Sequence, residues 1–225
     1  LVAMFPYTEI RFKPGSKFSY SNPGIIFLGK IVEKLSGEDY EVYVDKNILK
    51  PLEMHRSYFD TTPPHLLKHR SHSYYIENGK RTEGRFDANT GITVSNSGLN
   101  SPLPDMIKYV NFLVGDPKKR DIYDVILKRS SLEEMWFAQL PVDTDANGNK
   151  GFTTDIGLIF FIDKTLGTHY GHGGDQNGFL SYIDLDPSKR EASIIVFNTN
   201  VISPSETPPE RDIVGRLRRA VRALF

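Results

Sequence analysis

The 225-residue sequence contains no cysteine, which excludes a disulfide framework, a thiolate metal site and a cysteine nucleophile together. It also lacks net charge. Lysine plus arginine is 28 and aspartate plus glutamate is 28, so no global field draws the chain to nucleic acid and none is expected as a partner. Long apolar runs are missing too. The longest, near Gly24 to Gly29, Ile156 to Ile162 and Ala192 to Phe197, fall far short of the ~20 residues a membrane span requires, so no transmembrane segment is expected. Residue 1 is leucine, and no charged start followed by an apolar region and a small-residue cleavage site is present. The true N-terminus is therefore expected to lie outside this sequence.

What is there is the composition of a globular protein: 39% apolar, 12% aromatic and 25% charged residues. The length predicts one domain, or one plus a subdomain. The turn signal Lys13-Pro14-Gly15-Ser16 precedes Asn22 and Pro23, which read as an N-cap and a proline at the first helical position. A helix follows with Ile25, Leu28, Gly29, Val32 and Leu35 on one stripe, stopped by Gly37. Asp39 is placed to cap a second helix that Pro51 ends. Residues 60–100 are rich in turn formers and read as loops and short strands. Helices are predicted from Pro104 to Val114 and from Ser131 to Leu140, the latter with a serine cap. From Gly151 onward, β-branched and aromatic runs predict strands at Ile156 to Ile162, Gly178 to Leu185 and Ala192 to Phe197. Asp186-Pro187-Ser188-Lys189 reads as a hairpin turn, and Arg211 to Phe225 as a terminal helix whose arginines face water. The expected organisation is a mostly helical and loop region over residues 1–150 and a region of strands and a terminal helix over residues 151–225.

Two short stretches could carry chemistry. Tyr20-Ser21-Asn22 stands directly before a helix N-terminus, where a tyrosine can serve as a general base if cations favour its phenolate and an asparagine amide can meet a peptide-like substrate. By spacing alone, a buried tyrosine beside a capping asparagine explains the stretch better. His172-Gly173-Gly174, followed by Asp175, would let a ligand approach the backbone and would place N–H groups near an oxyanion beside a histidine. Alone, it reads more simply as a glycine-rich turn.

Taken together, in this order and 152 positions apart, the two motifs carry more. The stretch Phe12-Lys13-Pro14-Gly15-Ser16-Lys17-Phe18-Ser19-Tyr20-Ser21-Asn22-Pro23-Gly24 continues through Leu28-Gly29, Ser36-Gly37, Tyr40 and Pro51-Leu52-Glu53-Met54. It closely resembles the class C β-lactamase and penicillin-binding-protein-like serine hydrolases. Gly171-His172-Gly173-Gly174, Gly178-Phe179, Asp186-Pro187 and the strand ending at Asn198 resemble the last third of that family, so the likeness covers nearly the whole chain. The resemblance implies an α/β (α+β type) serine β-lactamase / DD-peptidase-like fold, an antiparallel sheet flanked by helices plus a helical region, incomplete at the N-terminus. It implies catalytic roles for Tyr20, as general base, and His172. It implies substrate contacts for Asn22, Gly173, Gly174 and the backbone of Asp175, the last as half of an oxyanion hole. No cofactor and no metal is implied. The substrate would be a small ester, β-lactam or D-amino-acid peptide, opened through an acyl-enzyme, and the compartment periplasmic or extracellular.

The match fails at the nucleophile. The family's serine stands in Ser-x-x-Lys, and no serine here is followed three residues later by lysine. The chain is expected to be the C-terminal portion of such a hydrolase, inactive alone, completed by a missing N-terminal segment or by self-association; a catalytically dead binding relative is the alternative. Esterase or D-peptidase is favoured over β-lactamase, because an imidazole at position 172 offers a substrate carboxylate less fixed positive charge than an ammonium. The His172-Gly173-Gly174 element also resembles the oxyanion loop of α/β-hydrolase lipases, but the Gly-x-Ser-x-Gly that reading needs is absent. His65, His69 and His72 have the spacing of one helical face but read as surface histidines. Asp143 to Gly148 copies the first half of a calcium loop but has Thr154 at position twelve, so an Asn-Gly turn is favoured.

Overall fold

The computed structural model describes residue 6 and residues 9–87, 89–142, 154–201 and 209–224. Helix α1 spans Asn22–Ser36 and α2 Tyr40–Val44, the latter continuing as one π-helical turn over Asp45–Leu49. A region of short elements follows: β1 (Tyr58–Phe59), a 3-10 turn (Pro64–His69), β2 (Tyr74–Glu77), β3 (Lys80–Glu83), α3 (Val94–Ser97) and β4 (Leu99–Asn100). Three further helices, α4 (Leu103–Val114), α5 (Arg120–Ile126) and α6 (Arg129–Met135), precede the strands β5 (Leu140–Pro141), β6 (Asp155–Ile156), β7 (Phe161–Asp163), β8 (His169–Gln176), β9 (Phe179–Asp186), β10 (Glu191–Phe197) and β11 (Thr199–Val201). The terminal helix α7 is Pro209–Arg222.

The main sheet runs β10-β9-β8-β7-β6-β5, antiparallel throughout, so each strand neighbours the next in sequence. A second sheet, β11-β2-β3, ties residues 199–201 to residues 74–76 in parallel. The core lies between the main sheet and the helices. Val110, Phe112, Leu113 and Val114 of α4 and Leu132 of α6 meet Trp136, Phe160 and Leu185 there, with Leu49, Leu52 and Met54 from the segment after α2. Helices on one side of an antiparallel sheet and α7 with the sheet's other face bear out the expected α+β architecture. Among the described strands β10 is one edge of the sheet, and a groove of about 630 Å³ runs beside it, lined by Leu103, Ile107, Val110 and Ile194.

Several local expectations are corrected. Ser21, not Asn22, caps α1: its backbone is extended and its Oγ accepts the Gly24 N–H at 3.1 Å, which puts Asn22 and Pro23 inside the first turn. Asp39 holds the N-cap position of α2 without a side-chain cap bond. Lys128, not a serine, occupies the N-cap position of α6, which begins and ends earlier than expected. The run Ile156 to Ile162 is two short strands, not one, because the chain reverses at Ile159, whose φ is +75°. Gly157 sits inside that reversal with the Met135 carbonyl only 2.3 Å from where a Cβ would stand. The Asp186 turn is as read: its carboxylate accepts the Ser188 and Lys189 N–H groups at 3.1 and 3.3 Å. The calcium-like stretch Asp143 to Gly148 lies outside the described residues.

Candidate active site

Tyr20 is fixed first by what fixes α1. Gly29 packs against α3 so closely that an added Cβ would lie 2.4 Å from the Ser95 side chain, and Ile26 on the same helix is buried. This seats the N-terminus of α1, and the extended Ser21 cap joins it to Tyr20, whose ring meets Phe161 of β7 and His172 of β8. Tyr20 is 45% exposed, and among the described residues its fixings are ring contacts rather than a hydrogen bond. Asn22 stands exposed in the first turn of α1.

His172, Gly173, Gly174 and Asp175 are not in a turn; they run through the middle and end of β8. The turn is Asn177-Gly178, with φ of +50° and +82° between the paired residues Gln176 and Phe179. That is the two-residue reversal with both central residues left-handed which Asn-Gly favours. Alternation along the strand then assigns the faces. Gly171 and Gly173 stand opposite Asp184 and Tyr182 on the α7 side. A Cβ on Gly171 would lie 2.2 Å from the Ile183 carbonyl, and one on Gly173 2.8 Å from the Tyr182 ring. These two glycines are required by the sheet itself. His172 points to the other face, and Gly174 follows it there, exposed, with only the rotatable Ser181 hydroxyl near its absent side chain.

What presses Tyr182 and Asp184 onto β8 is α7. Arg222 is buried and donates its Nε to Asp184 Oδ1 at 2.9 Å, with further contacts to Asp163 and Asp184. Arg218, one turn earlier, reaches Asp184 at 3.2 Å and lies over the Tyr182 ring at 4.4 Å. The expectation that the arginines of this helix face water is therefore wrong for these two. Two acidic residues on the strands either side of β8, Asp163 of β7 and Asp184 of β9, need cationic partners when buried, and the helix supplies them.

β7 ladders to β8 only from His169 to Gly171. From His172 onward β8 is laddered to β9 alone among the described residues, and no described strand covers its other backbone edge, Asp175 included, where an extended ligand or a developing oxyanion could meet it. The hairpin tip is held from the far side. Ser73 donates its hydroxyl to the Asn177 carbonyl at 2.6 Å, Asn177 Oδ1 accepts the Arg85 N–H at 3.0 Å, and Asn200 donates to the Asp175 carboxylate at 2.7 Å.

At the near end of this edge, Tyr20 and His172 meet with ring centroids 6.3 Å apart and planes 29° apart. The structure thus brings together Tyr20 and His172 of the two motifs that the sequence separates by 152 positions. Phe161 of β7 completes a triangle of rings, 5.4 Å from His172 and 6.5 Å from Tyr20. Burial holds the His172 imidazole below its ordinary 6.5, against an opposing hydrogen bond with the Gly173 backbone, so the neutral ring is favoured at neutral pH. No hydrogen bond joins Asn22 to β8 among the described residues. Phe161, Asn177 and Asn200 escaped the sequence reading. The Asn-Gly pair at 177–178 was a legible hairpin signal, but nothing in the sequence pairs Phe161 with residues 20 and 172. His65 and His69 sit exposed on the 3-10 turn, and His72, also exposed, contacts Glu83. No group of three metal-ligating side chains occurs among the described residues, nor does any helix there have the length and apolarity to cross a membrane.

This geometry has counterparts. A solved structure, the octameric penicillin-binding protein homologue from Pyrococcus abyssi, is 27% identical and superposes with a TM-score of 0.71 over 93% of this chain and 44% of its own. A putative D-alanyl-D-alanine carboxypeptidase of Salmonella schwarzengrund (strain CVM19633) is 32% identical over 232 residues, 91% of this chain and 51% of its own length. Protein flp of Staphylococcus aureus (strain NCTC 8325 / PS 47) is 25% identical over 193 residues, 85% of this chain and 35% of its own. The chain thus spans between about a third and a half of the length of these relatives. The β-lactamase family model matches residues 1–214, and with the sheet and the helices it shows that the chain belongs to the β-lactamase family of hydrolases.

Proposed function

We propose that these residues are the C-terminal portion of a serine hydrolase that opens small esters or D-amino-acid peptides through an acyl-enzyme. The observation that carries the reading is the meeting of Tyr20 and His172 at the open end of β8. In this scheme Tyr20 takes the proton from the attacking serine and returns it to the leaving group. Asn22 orients the substrate amide, the backbone of Gly173 and the open space at Gly174 let the chain of the substrate lie along β8, and the Asp175 N–H supports the oxyanion. The serine and its lysine come from outside these 225 residues, and the open β10 edge is where such a segment, or a second copy, would pair. The neutral state of His172 favours esters and amides without a carboxylate at the reacting centre. A β-lactam carries one on the carbon bonded to the scissile nitrogen, as does a peptide whose leaving group is a free amino acid, and an uncharged imidazole offsets the desolvation of neither, which leaves esters and D-amino-acid peptides with a blocked or longer leaving group as the favoured substrates.

The test uses a fluorophosphonate and a fluorescent penicillin. Both should fail to label this chain, and the fluorophosphonate should label a longer product of the same gene, which should hydrolyse p-nitrophenyl esters or D-alanyl peptides faster than a cephalosporin. Labelling of the 225-residue chain itself would refute the missing nucleophile. A longer product that neither probe labels would leave a binding relative without activity.

A further inference from the structure

Phe161 is an aromatic residue that the core does not use. Its neighbours in sequence are buried, Phe160 against Trp136 and Ile162 at 1% exposure, but Phe161 is half-buried and stands apart from the main hydrophobic cluster. Among the described residues its ring partners are Tyr20, His172 and Phe18. Its plane lies within 7° of the Tyr20 ring and 30° of the His172 ring, and Phe18 meets it edge-on at 5.8 Å. Its backbone is the most constrained of the four, because β7 is an inner strand with Phe161 paired to Ile156 on one side and Gly171 on the other. Tyr20 and Phe18, by contrast, lie on the irregular segment before α1.

We propose that Phe161 is a positioning residue of this site: its ring, fixed by the sheet, sets where the Tyr20 ring stands against His172 and shields the imidazole from water. The proposal rests on the reading of Tyr20 and His172 as working residues, but its physical content does not. A side chain on a loop is located by what it packs against, and a misplacement of about 1 Å in a catalytic group can cost ~10²-fold in rate. Parallel offset rings give such a contact a preferred geometry as well as area. The groups that face His172 are Tyr20 from the N-terminal segment, Phe161 from β7 and Ile183 from β9. Tyr20 is the titratable one, and no ion pair to His172 occurs among the described residues.

The experiment is an NMR titration of the histidine and tyrosine ring signals, with His172 assigned by loss of its signal in His172→Gln. Phe161→Ala and Phe161→Leu remove the ring, and Phe161→Tyr keeps it. The two ring-deleting variants should raise the His172 midpoint toward 6.5 and move the Tyr20 ring signals, and Phe161→Tyr should restore both. Unchanged His172 midpoint and Tyr20 shifts in folded Phe161→Leu would overturn the proposal, as would failure of Phe161→Tyr to differ from Phe161→Leu. In a longer, active product, Phe161→Leu should lower kcat by about 10-fold or more with KM little changed. If the NMR changes appear while neither Phe161→Leu nor Tyr20→Phe affects kcat, the functional reading fails and the positioning role stands.

Discussion

Arg222 offers the sharpest test of how the fold supports the site. It is 5% exposed, Asp184 is fully buried and Asp163 is 4% exposed. One guanidinium is shared by two carboxylates on different strands. Methionine at position 222 fills similar space and leaves both acids without that partner. Breaking a buried pair from one side costs about 3–5 kcal/mol. Arg218 still reaches Asp184 at 3.2 Å, but among the described residues Asp163 keeps only its contacts with Thr165, so the loss should fall inside that range rather than below it. For a chain of this size, that corresponds to a fall in Tm of roughly 6–20 °C, at about 2–4 °C per kcal/mol. Urea unfolding followed by tryptophan fluorescence is a direct assay, because Trp136 is the single tryptophan and stacks on Tyr170 of β8 at 5.3 Å. Adding Asp163→Asn and Asp184→Asn to Arg222→Met should recover part of the loss, since neutral amides no longer need a cation. A loss below about 1 kcal/mol for Arg222→Met, or no recovery in the triple variant, would refute the account of α7 as the clamp behind β8.

Three further outcomes are expected. In a longer, active product, Tyr20→Phe should lower kcat by about 10²-fold or more with little change in KM, while His65→Ala should change neither; near-full activity in a folded Tyr20→Phe enzyme would remove Tyr20 as the base. Gly173→Ala should destabilise the chain and displace Tyr182, whereas Gly174→Ala should fold normally and weaken substrate binding, so equal stability losses at the two positions would contradict the assignment of their faces. His172 has a folded pKa below its unfolded 6.5, so between those values the unfolded chain binds the extra proton and stability falls as pH drops through that window, with no effect above it. His172→Gln should abolish this contribution, measured as the difference in urea midpoint between pH 7.5 and pH 5.5, and an identical pH dependence in wild type and variant would count against it.

Local order was readable in the sequence where a residue's own chemistry dictates it. The α1 stripe, the Gly37 stop with its φ of +74°, and the Asp186 turn depend on contacts a few residues away. The resemblance carried by Tyr20 to Asn22 and by His172 to Gly174 gave the family and fold, because such motifs record a site without describing it. Tertiary structure decided the rest. The His172-Gly173-Gly174 stretch looks like a turn because glycine suits turns, yet it is a strand because it ladders to Ser181, Tyr182 and Ile183 of β9, with the Tyr182 ring in the space a Gly173 side chain would take. The α7 arginines look solvated because a helix pattern says which residues share a face, not what charge waits opposite. Ile156 to Ile162 is broken by a reversal packed on the Met135 carbonyl, a contact no periodicity predicts. Phe161 meets Tyr20 and His172 only because antiparallel register brings β7 beside β8 and α1's packing brings residue 20 over both. Sequence specifies the pieces through short-range chemistry, and long-range packing alone decides which of them face one another.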